Sequence, residues 1–247
     1  SPHVLTKVKD KPFFLHMSHY AVHAPFDSDP RFAKNYAQSS HSKQWKAFAT
    51  LIEGMDKSLG DILDHLESIG EAENTLVFFL GDNGTDAPLG GQNDIACAAP
   101  LRGRKGSHFE GGMRAPLIVA WAKPNPESPM QTAYPIKQDT LNNDMVTICD
   151  LMPTILDLTG IKPPASYKID GQDLKKDLQG TATASTRSFL MHFPHPHRSS
   201  DFSTYFEGDW KITYHYKRQK GKQIELFNLK TDPSESNNLS KSKPERS

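Results

Sequence analysis

The sequence has few of the features that identify a disulfide-rich or membrane-spanning protein. Its 247 residues include two cysteines, Cys97 and Cys149, which lack metal-site spacing and do not define a disulfide framework. We therefore predict that both are simple thiols. No apolar run approaches the roughly 20 residues that cross a bilayer, so we expect no membrane span.

An excess of charge of one sign is lacking as well. Lysine and arginine total 29, and aspartate and glutamate also total 29. Because no net field would attract a phosphate backbone or an anionic lipid surface, the sequence does not favour nucleic acid as a partner. The length fits one large domain, or a domain with a subdomain. The residues after Ser1 do not form a signal peptide, so they do not indicate a compartment.

The most informative segment that is present runs from Thr75 to Arg114. It begins with the apolar run Thr75–Leu80, which predicts a strand buried on both faces. Asp82 and Asn83 follow at once, where ligands bind in open α/β sheets, beyond the carboxyl end of a strand. These two side chains therefore offer hard oxygen donors to a cation, although an Asn-Gly pair alone would be an ordinary turn.

A glycine-rich basic loop follows in the same segment. It carries Arg102, Arg104 and Lys105, with Gly103 and Gly106 beside them. Cationic side chains on a glycine-permissive backbone, close to a cation site, predict a pocket for an anionic ester. A basic run alone is more often a solvated loop. The combination with the oxygen donors is therefore what favours a functional interpretation.

The order of these motifs resembles the type I sulfatase (arylsulfatase) family of the alkaline-phosphatase-like superfamily. In that family a strand ending in Asp-Asn-Gly precedes a pattern close to LRG-x-K-G-x-x-x-EGG-x-R-x-P, which this sequence matches from Leu101 to Pro116. One departure is Arg104, which stands where many members carry a small residue and adds a charge beside Lys105. Upstream, KPFFLHMSHYAVHAP resembles the family's strand that runs into a His-x-Pro turn, which implies that His23 is the active-site histidine.

The resemblance also implies the fold and the domain organisation. The fold class would be α/β, with residues 1–180 forming the C-terminal part of the sulfatase catalytic sheet sandwich. Residues 181–247 would form a small C-terminal antiparallel α+β subdomain. The resemblance covers essentially the whole chain, but it matches only the C-terminal portion of a sulfatase.

Apolar periodicity and turn residues predict the individual elements. A helix over Trp45–Ile69, ended by Gly70, would connect the strand before His23 to the strand before Asp82. Such a crossover implies parallel pairing of the two strands. The other predictions are a strand over Pro116–Trp121, a loop over 123–143, a helix over Met145–Leu158 kinked or restarted at Pro153, short antiparallel strands between Phe189 and Leu229, and a polar tail from Asp232 that frays at its end.

The same resemblance implies the residues of the site. Calcium is the family's usual cation, and Asp82 and Asn83 would be its ligands in this chain. Lys105 and His23 would bind the sulfate group and assist departure of the leaving group. The further substrate contacts that we predict are Arg104, His108, His192 and His195.

The histidines of residues 192–197 allow more than one interpretation. Three histidines in six residues could bind a transition metal, but the prolines between them prevent the regular geometry that would make the ligands converge. A loop that lines a polar substrate cleft and a plain surface turn are both favoured over a zinc site.

Two parts of a sulfatase site are missing from this sequence. The C/S-x-P-S-R motif, whose cysteine or serine becomes the formylglycine nucleophile, is absent, and neither Cys97 nor Cys149 has the required neighbours. Calcium takes six to eight oxygen ligands, of which Asp82 and Asn83 offer about two or three. We therefore expect the N-terminal half of the same sulfatase as a partner, and we expect this chain alone to be inactive.

The substrate and the compartment are implied only in outline. The resemblance implies a sulfated small molecule or glycan as substrate, and a periplasmic, secreted or lysosomal protein. Two alternatives stay open: a catalytically inactive sulfatase-like module that binds sulfated glycans, and a phosphate-ester hydrolase of the same superfamily. One calcium ion would indicate sulfatase chemistry, and two zinc ions with His/Asp ligation would indicate phosphatase chemistry.

Overall fold

The longest helix of the chain, α1, spans Lys43–Ser68, which confirms the helix predicted over Trp45–Ile69. Ser42 caps its first turn, because the Ser42 hydroxyl oxygen accepts a hydrogen bond from the Trp45 N–H at 3.1 Å. Gly70 follows its end with a φ of 77°, an angle that glycine adopts without the usual steric cost. The predicted stop is therefore confirmed.

The chain divides into two compact units. The computed structural model describes residues 5–7, 11–85, 98–183, 187–196 and 201–246. The first unit comprises the described residues of Ser1–Phe78 and Ile118–Ala133, and the second comprises Phe79–Thr85, Ala98–Leu117 and the described residues from Tyr134 onward. The domain boundary predicted after residue 180 does not coincide with this division and stays a prediction.

The core of the first unit lies at the end of α1. It contains the buried Leu5, Leu66 and Ala72, with the partly buried Phe13, Leu15, Ile62, Ile69 and Ala122 packed against them. No strand forms over residues 12–20, so the predicted strand before His23 and its parallel pairing are wrong. Phe13 and Leu15 pack inward while Phe14 is 74% exposed, but no neighbouring strand in the described residues completes a hydrogen-bond ladder.

Two of the predicted strands pair with each other. β1 (Leu76–Leu80) and β2 (Leu117–Trp121) form a two-stranded sheet, and both strands are confirmed. All five residues of β1 are partly exposed, so the predicted burial on both faces is wrong. The physical reason is that β1 pairs with β2 alone among the described residues.

Two short helices precede and follow β2 along the sequence. α2 spans Glu110–Met113, and α3 spans Pro129–Ala133. α3 lies within the segment 123–143, for which a loop was predicted, so that prediction is wrong over this turn. The reason is the buried side chain of Gln131, whose Nε2 donates to Glu73 O at 2.8 Å and fixes the turn. No helix in the described part of the chain is both long and apolar enough to cross a bilayer.

The second unit contains the helix that was predicted to start at Met145. This helix, α4, spans Leu151–Thr159 and follows a single 3-10 turn over Ile148–Asp150. The predicted start is therefore too early, because a capping box at the 3-10 turn marks where helical structure begins. Pro153 lies in the first turn of α4, where its missing N–H costs little, and α4 continues through it without interruption. The prediction that the helix is kinked or restarted at Pro153 is therefore wrong. Gly160 ends α4 with a φ of 67°.

A buried ion pair connects α4 to the strand that follows it along the chain. Asp150 is fully buried, and its carboxylate accepts hydrogen bonds from the Arg187 guanidinium at 2.5 and 2.6 Å. Burial alone would raise the pKa of Asp150, but the hydrogen bonds from Arg187 and two backbone N–H groups hold that pKa below its usual value. The short helix α5 spans Lys175–Leu178. Cys149 is a free, exposed thiol, as predicted, and Cys97 lies outside the described residues.

Four antiparallel strands form the C-terminal sheet of the second unit. They are β3 (Ser188–Phe193), β4 (Phe202–Glu207), β5 (Trp210–His215) and β6 (Ile224–Asn228), in the order β3-β4-β5-β6. The predicted antiparallel sheet is confirmed. Alternation along β5 buries Lys211, Thr213 and His215 on one face, so that a lysine and a histidine occupy positions normally given to apolar residues.

The tail after β6 is folded back. The Asp232 carboxylate accepts hydrogen bonds from the backbone N–H groups of Ser236 at 3.0 Å and Asn237 at 2.8 Å. Further on, the Leu239 N–H donates to Leu226 O on β6 at 2.8 Å. Short-range polar contacts therefore fix the tail up to at least Leu239, and fraying at its end stays a prediction.

Candidate functional site

The turn after β1 presents the two predicted cation ligands. Asp82 is exposed and Asn83 is half-buried. The Asn83 Nδ2 donates to Asp82 Oδ1 at 3.1 Å and to Gly84 O at 3.2 Å. These bonds use the amide nitrogen, so the amide oxygen of Asn83 and the second carboxylate oxygen of Asp82 are the donors that the turn offers to a cation.

Backbone hydrogen bonds join this turn to the basic loop. The Gly84 N–H donates to Gly112 O at 2.9 Å, and the Lys105 N–H donates to Thr85 O at 2.9 Å. A Cβ atom at Gly84 would collide with Gly111 O, so only glycine allows the two segments to approach this closely. The second unit therefore brings the Asp82 turn and the Lys105 backbone together, as the prediction of a shared site requires.

The basic loop is itself a tight turn. The Ser107 N–H donates to Arg104 O at 3.0 Å, and the Arg104 N–H donates to Ser107 Oγ at 3.2 Å. Gly103 and Gly106 both adopt positive φ angles, of 82° and 83°, which permit this reversal. Lys105 is half-buried near the tip of the turn, beside the half-buried Arg104. The two cations predicted to bind substrate are therefore held on a hydrogen-bonded turn.

A buried ion-pair network holds the end of this loop. The Lys211 ammonium lies 2.9 Å from Glu110 Oε1 and 2.8 Å from Glu235 Oε1, and all three side chains are at most 5% exposed. The second oxygen of Glu235 accepts a hydrogen bond from the Glu110 N–H at 2.6 Å. Burial raises the pKa of Glu235 although the Lys211 charge opposes this. The sequence analysis did not predict this network. The signal in the sequence is Lys211 itself, a lysine at an inward-facing position of the alternating strand β5.

His108 belongs to a second buried cluster. Its ring is 3% exposed, and its Nε2 lies 2.8 Å from Glu225 Oε2, which is also 2.7 Å from His215 Nε2. Burial lowers the pKa of His108, although Glu225 acts in the opposite direction. Burial alone would raise the pKa of Glu225, but hydrogen bonds from His108, His215 and Arg218 hold that pKa far below its usual range. The His108 ring is buried and its Nε2 faces the Glu225 carboxylate, so the structure does not place this ring where a substrate could reach it. This differs from the predicted substrate contact.

The other two predicted histidines lie at the end of β3. His192 is exposed on the strand itself rather than in a loop, and its Nδ1 lies 2.6 Å from Ser203 Oγ. That hydroxyl oxygen lies 2.7 Å from the Tyr216 hydroxyl. His195 is exposed in the turn that follows, with its ring centroid 5.9 Å from that of Phe193. Their contact with substrate stays a prediction, and His197 lies outside the described residues.

His23 lies in the first unit, in a local turn. Its N–H donates to Tyr20 O at 2.9 Å, and its Nδ1 lies 2.7 Å from Ala24 O. Because a carbonyl oxygen only accepts, Nδ1 carries a proton, and Nε2 is the ring atom left for other chemistry. The ring is exposed. Its role at the site stays a prediction.

Comparison with known proteins supports the resemblance. The family described as Sulfatase matches residues 3–161, and the family described as N-sulphoglucosamine sulphohydrolase, C-terminal, matches residues 105–247. Steryl-sulfatase from Mus musculus is 32% identical over 197 residues, which cover 76% of this chain and 28% of that protein. N-acetylgalactosamine-6-sulfatase from Mus musculus is 32% identical over 166 residues, which cover 67% of this chain and 28% of that protein.

Solved structures confirm the predicted fold class. Ps i-CgsB, solved in complex with k-i-k-neocarrahexaose, superposes with a TM-score of 0.78 at 22% identity. The match covers 98% of this chain and 49% of that one. The chain therefore spans about half the length of this neighbour and less than a third of the two curated relatives.

Proposed function

The chain belongs to the sulfatase family, and on that premise we propose that it forms part of an enzyme that hydrolyses aryl or carbohydrate sulfate esters. The observation that carries the proposal is the pairing of the Asp82 turn with the Lys105 loop through two backbone hydrogen bonds. That pairing supports a site in which oxygen donors for a cation lie near cationic side chains for an anion. The names of the two relatives support both a steroid-like and a carbohydrate sulfate as substrate.

Asp82 and Asn83 fit a hard divalent cation by the type of donor they offer. Both present oxygen, which Ca²⁺ prefers, and the hydrogen bonds of the Asn83 amide nitrogen leave its oxygen for that purpose. Bound there, Ca²⁺ would neutralise charge on the sulfate oxygens. The turn offers about two of the six to eight ligands that Ca²⁺ takes. The remaining ligands would come from the N-terminal half of the sulfatase.

Lys105 and His23 are proposed to act on the sulfate group itself. The Lys105 ammonium would donate hydrogen bonds to sulfate oxygens, and it would stabilise most strongly the charge that develops during cleavage. Arg104 would add a second cation to the same pocket. The Nε2 of His23 would deliver a proton to the departing oxygen, with the ring oriented by its Nδ1–H bond to Ala24 O.

The nucleophile is proposed to lie in the N-terminal half. The printed sequence contains no C/S-x-P-S-R motif from which formylglycine could be made. The same observation favours one alternative, a catalytically inactive module that binds sulfated glycans through the Lys105 loop. A phosphate-ester hydrolase is less favoured, because the Asp82 turn offers oxygen donors rather than the His/Asp set of a zinc pair.

The first prediction tests whether the N-terminal half supplies the nucleophile that this chain lacks. The purified chain, incubated with a chromogenic aryl sulfate and Ca²⁺, should show no turnover, because it lacks a nucleophile. Addition of the N-terminal half should restore turnover, which is measured by release of the chromophore. Turnover by the isolated chain at enzyme-like rates would refute the proposal. A complemented complex that binds sulfated glycan without cleaving it would favour the inactive module.

The second prediction concerns the exposed histidines at the end of β3. In the complemented enzyme, the double variant His192→Gln, His195→Gln should raise KM for a sulfated glycan and leave KM for a small aryl sulfate unchanged. The reason is that an extended substrate reaches beyond the sulfate pocket and a small one does not. His16→Gln, an exposed histidine of the first unit, is the matched control. Equal effects on both substrates would indicate a purely structural role.

A further inference from the structure

Three ligand-type side chains converge inside the second unit. The atoms His108 Nε2, His215 Nε2 and Glu225 Oε2 all lie within 4.8 Å of one another. Both rings are at most 3% exposed, and the Glu225 side chain is 12% exposed. The three residues come from separate segments: the basic loop, β5 and β6. Their meeting therefore depends on the tertiary fold and not on local sequence.

The donor set matches a particular class of cation. Two imidazole nitrogens and one carboxylate oxygen are ligands that Zn²⁺ and similar first-row transition cations bind well. They match Ca²⁺ poorly, since that ion takes oxygen ligands. We propose that His108, His215 and Glu225 bind one Zn²⁺ or chemically similar cation, which would fasten the basic loop to the C-terminal sheet.

The geometry is close to what such an ion needs. The shared oxygen Glu225 Oε2 lies 2.8 Å from His108 Nε2 and 2.7 Å from His215 Nε2. Tetrahedral Zn²⁺ ligands at about 2.0–2.1 Å from the ion are separated by roughly 3.3 Å. Each histidine nitrogen would therefore move roughly half an ångström away from Glu225 Oε2. The Nε2 protons that now face Glu225 would be displaced when the ion binds.

Charged groups around the cluster set its affinity. Arg218 NH1 lies 3.0 Å from Glu225 Oε1, so the carboxylate offers Oε2 alone. The nearby Lys211 charge is already balanced by Glu110 and Glu235. Among the described residues in contact with the cluster, Arg218 is thus the group whose charge opposes a bound cation. Its removal should tighten binding, because it both lowers the repulsion and frees the second oxygen of Glu225.

The test uses the whole 247-residue chain, freed of metal with a chelator and titrated with ZnCl₂ in a calorimeter. One Zn²⁺ per chain is expected, with a rise in Tm of about 5–10 °C at a Zn²⁺ concentration of 100 Kd. Co²⁺, added in place of Zn²⁺, should give the visible absorption of a tetrahedral nitrogen and oxygen site. This spectrum keeps the test valid if a ligand variant fails to fold.

Variants identify the ligands. His215→Gln and Glu225→Gln should each weaken Zn²⁺ binding by at least about 100-fold, since a three-ligand site loses one bond. Arg218→Gln should tighten it with the same stoichiometry, and the exposed-site control His41→Gln should leave it unchanged. Zn²⁺ binding that survives in both ligand variants would overturn the assignment. So would the absence of a stoichiometric Zn²⁺ or Co²⁺ complex in the unaltered chain.

Discussion

Replacing Lys211 by methionine is expected to lower the free energy of unfolding by about 3–5 kcal/mol, the loss typical of a buried ion pair that is left without one partner. The Lys211 ammonium is fully buried and bridges two buried carboxylates, Glu110 and Glu235. Without it, the Glu235 carboxylate is desolvated with no compensating charge, and the Glu110 carboxylate keeps only the more exposed Arg114, whose Nε lies 3.1 Å from Glu110 Oε2. Urea unfolding followed by circular dichroism measures the difference as a lower midpoint.

A matched control exists in the same unit. Lys230 lies 3.8 Å from Asp209, and the two side chains are 74% and 53% exposed. Lys230→Met should therefore cost less than about 1 kcal/mol. The deficit of Lys211→Met should also shrink as the pH falls, because burial raises the pKa of Glu235 above its usual value and protonation removes the uncompensated charge. Equal losses in the two lysine variants would contradict the proposed importance of the network.

Replacing Lys105 by alanine should lower kcat of the complemented enzyme by about 100- to 1000-fold, the usual effect of removing one preorganised donor to a developing anion. The fold should be nearly unaffected. The bond that anchors this position runs from the Lys105 backbone N–H to Thr85 O, and alanine keeps that N–H.

The control for this variant is Lys43→Ala, an exposed lysine at the start of α1. Its kcat and its unfolding midpoint should both match those of the unaltered enzyme. Far-UV circular dichroism of Lys105→Ala should coincide with that of the control. Sulfatase turnover that is unchanged in Lys105→Ala would exclude a role for this side chain in the reaction.

The elements that could be predicted from the sequence are those whose signals are local. α1 shows apolar periodicity along its length, and a glycine follows directly after its end. The C-terminal strands have short alternating patterns between turns. The residues of the Asp82 turn and the basic loop were found because they occur in a recognisable order along the chain.

The predictions that failed concern residues whose partners are distant in the sequence. The segment 12–20 has the composition of a strand, but a strand exists only where another strand completes its hydrogen bonds. His108 was assigned to the substrate because it lies in the basic loop, whereas its actual partner Glu225 is more than one hundred positions away. The Lys211 network was invisible for the same reason, since Glu110 and Glu235 flank it from two separate segments.

The folded-back tail has a consequence for self-association. β6 is the last strand of its sheet, and an uncovered edge strand is a template onto which another chain can add. At the middle of β6, the Leu226 N–H donates to Asn238 Oδ1 and the Leu226 O accepts from the Leu239 N–H. Both ladder groups are thus occupied by the chain's own tail, which protects this edge against aggregation by strand addition.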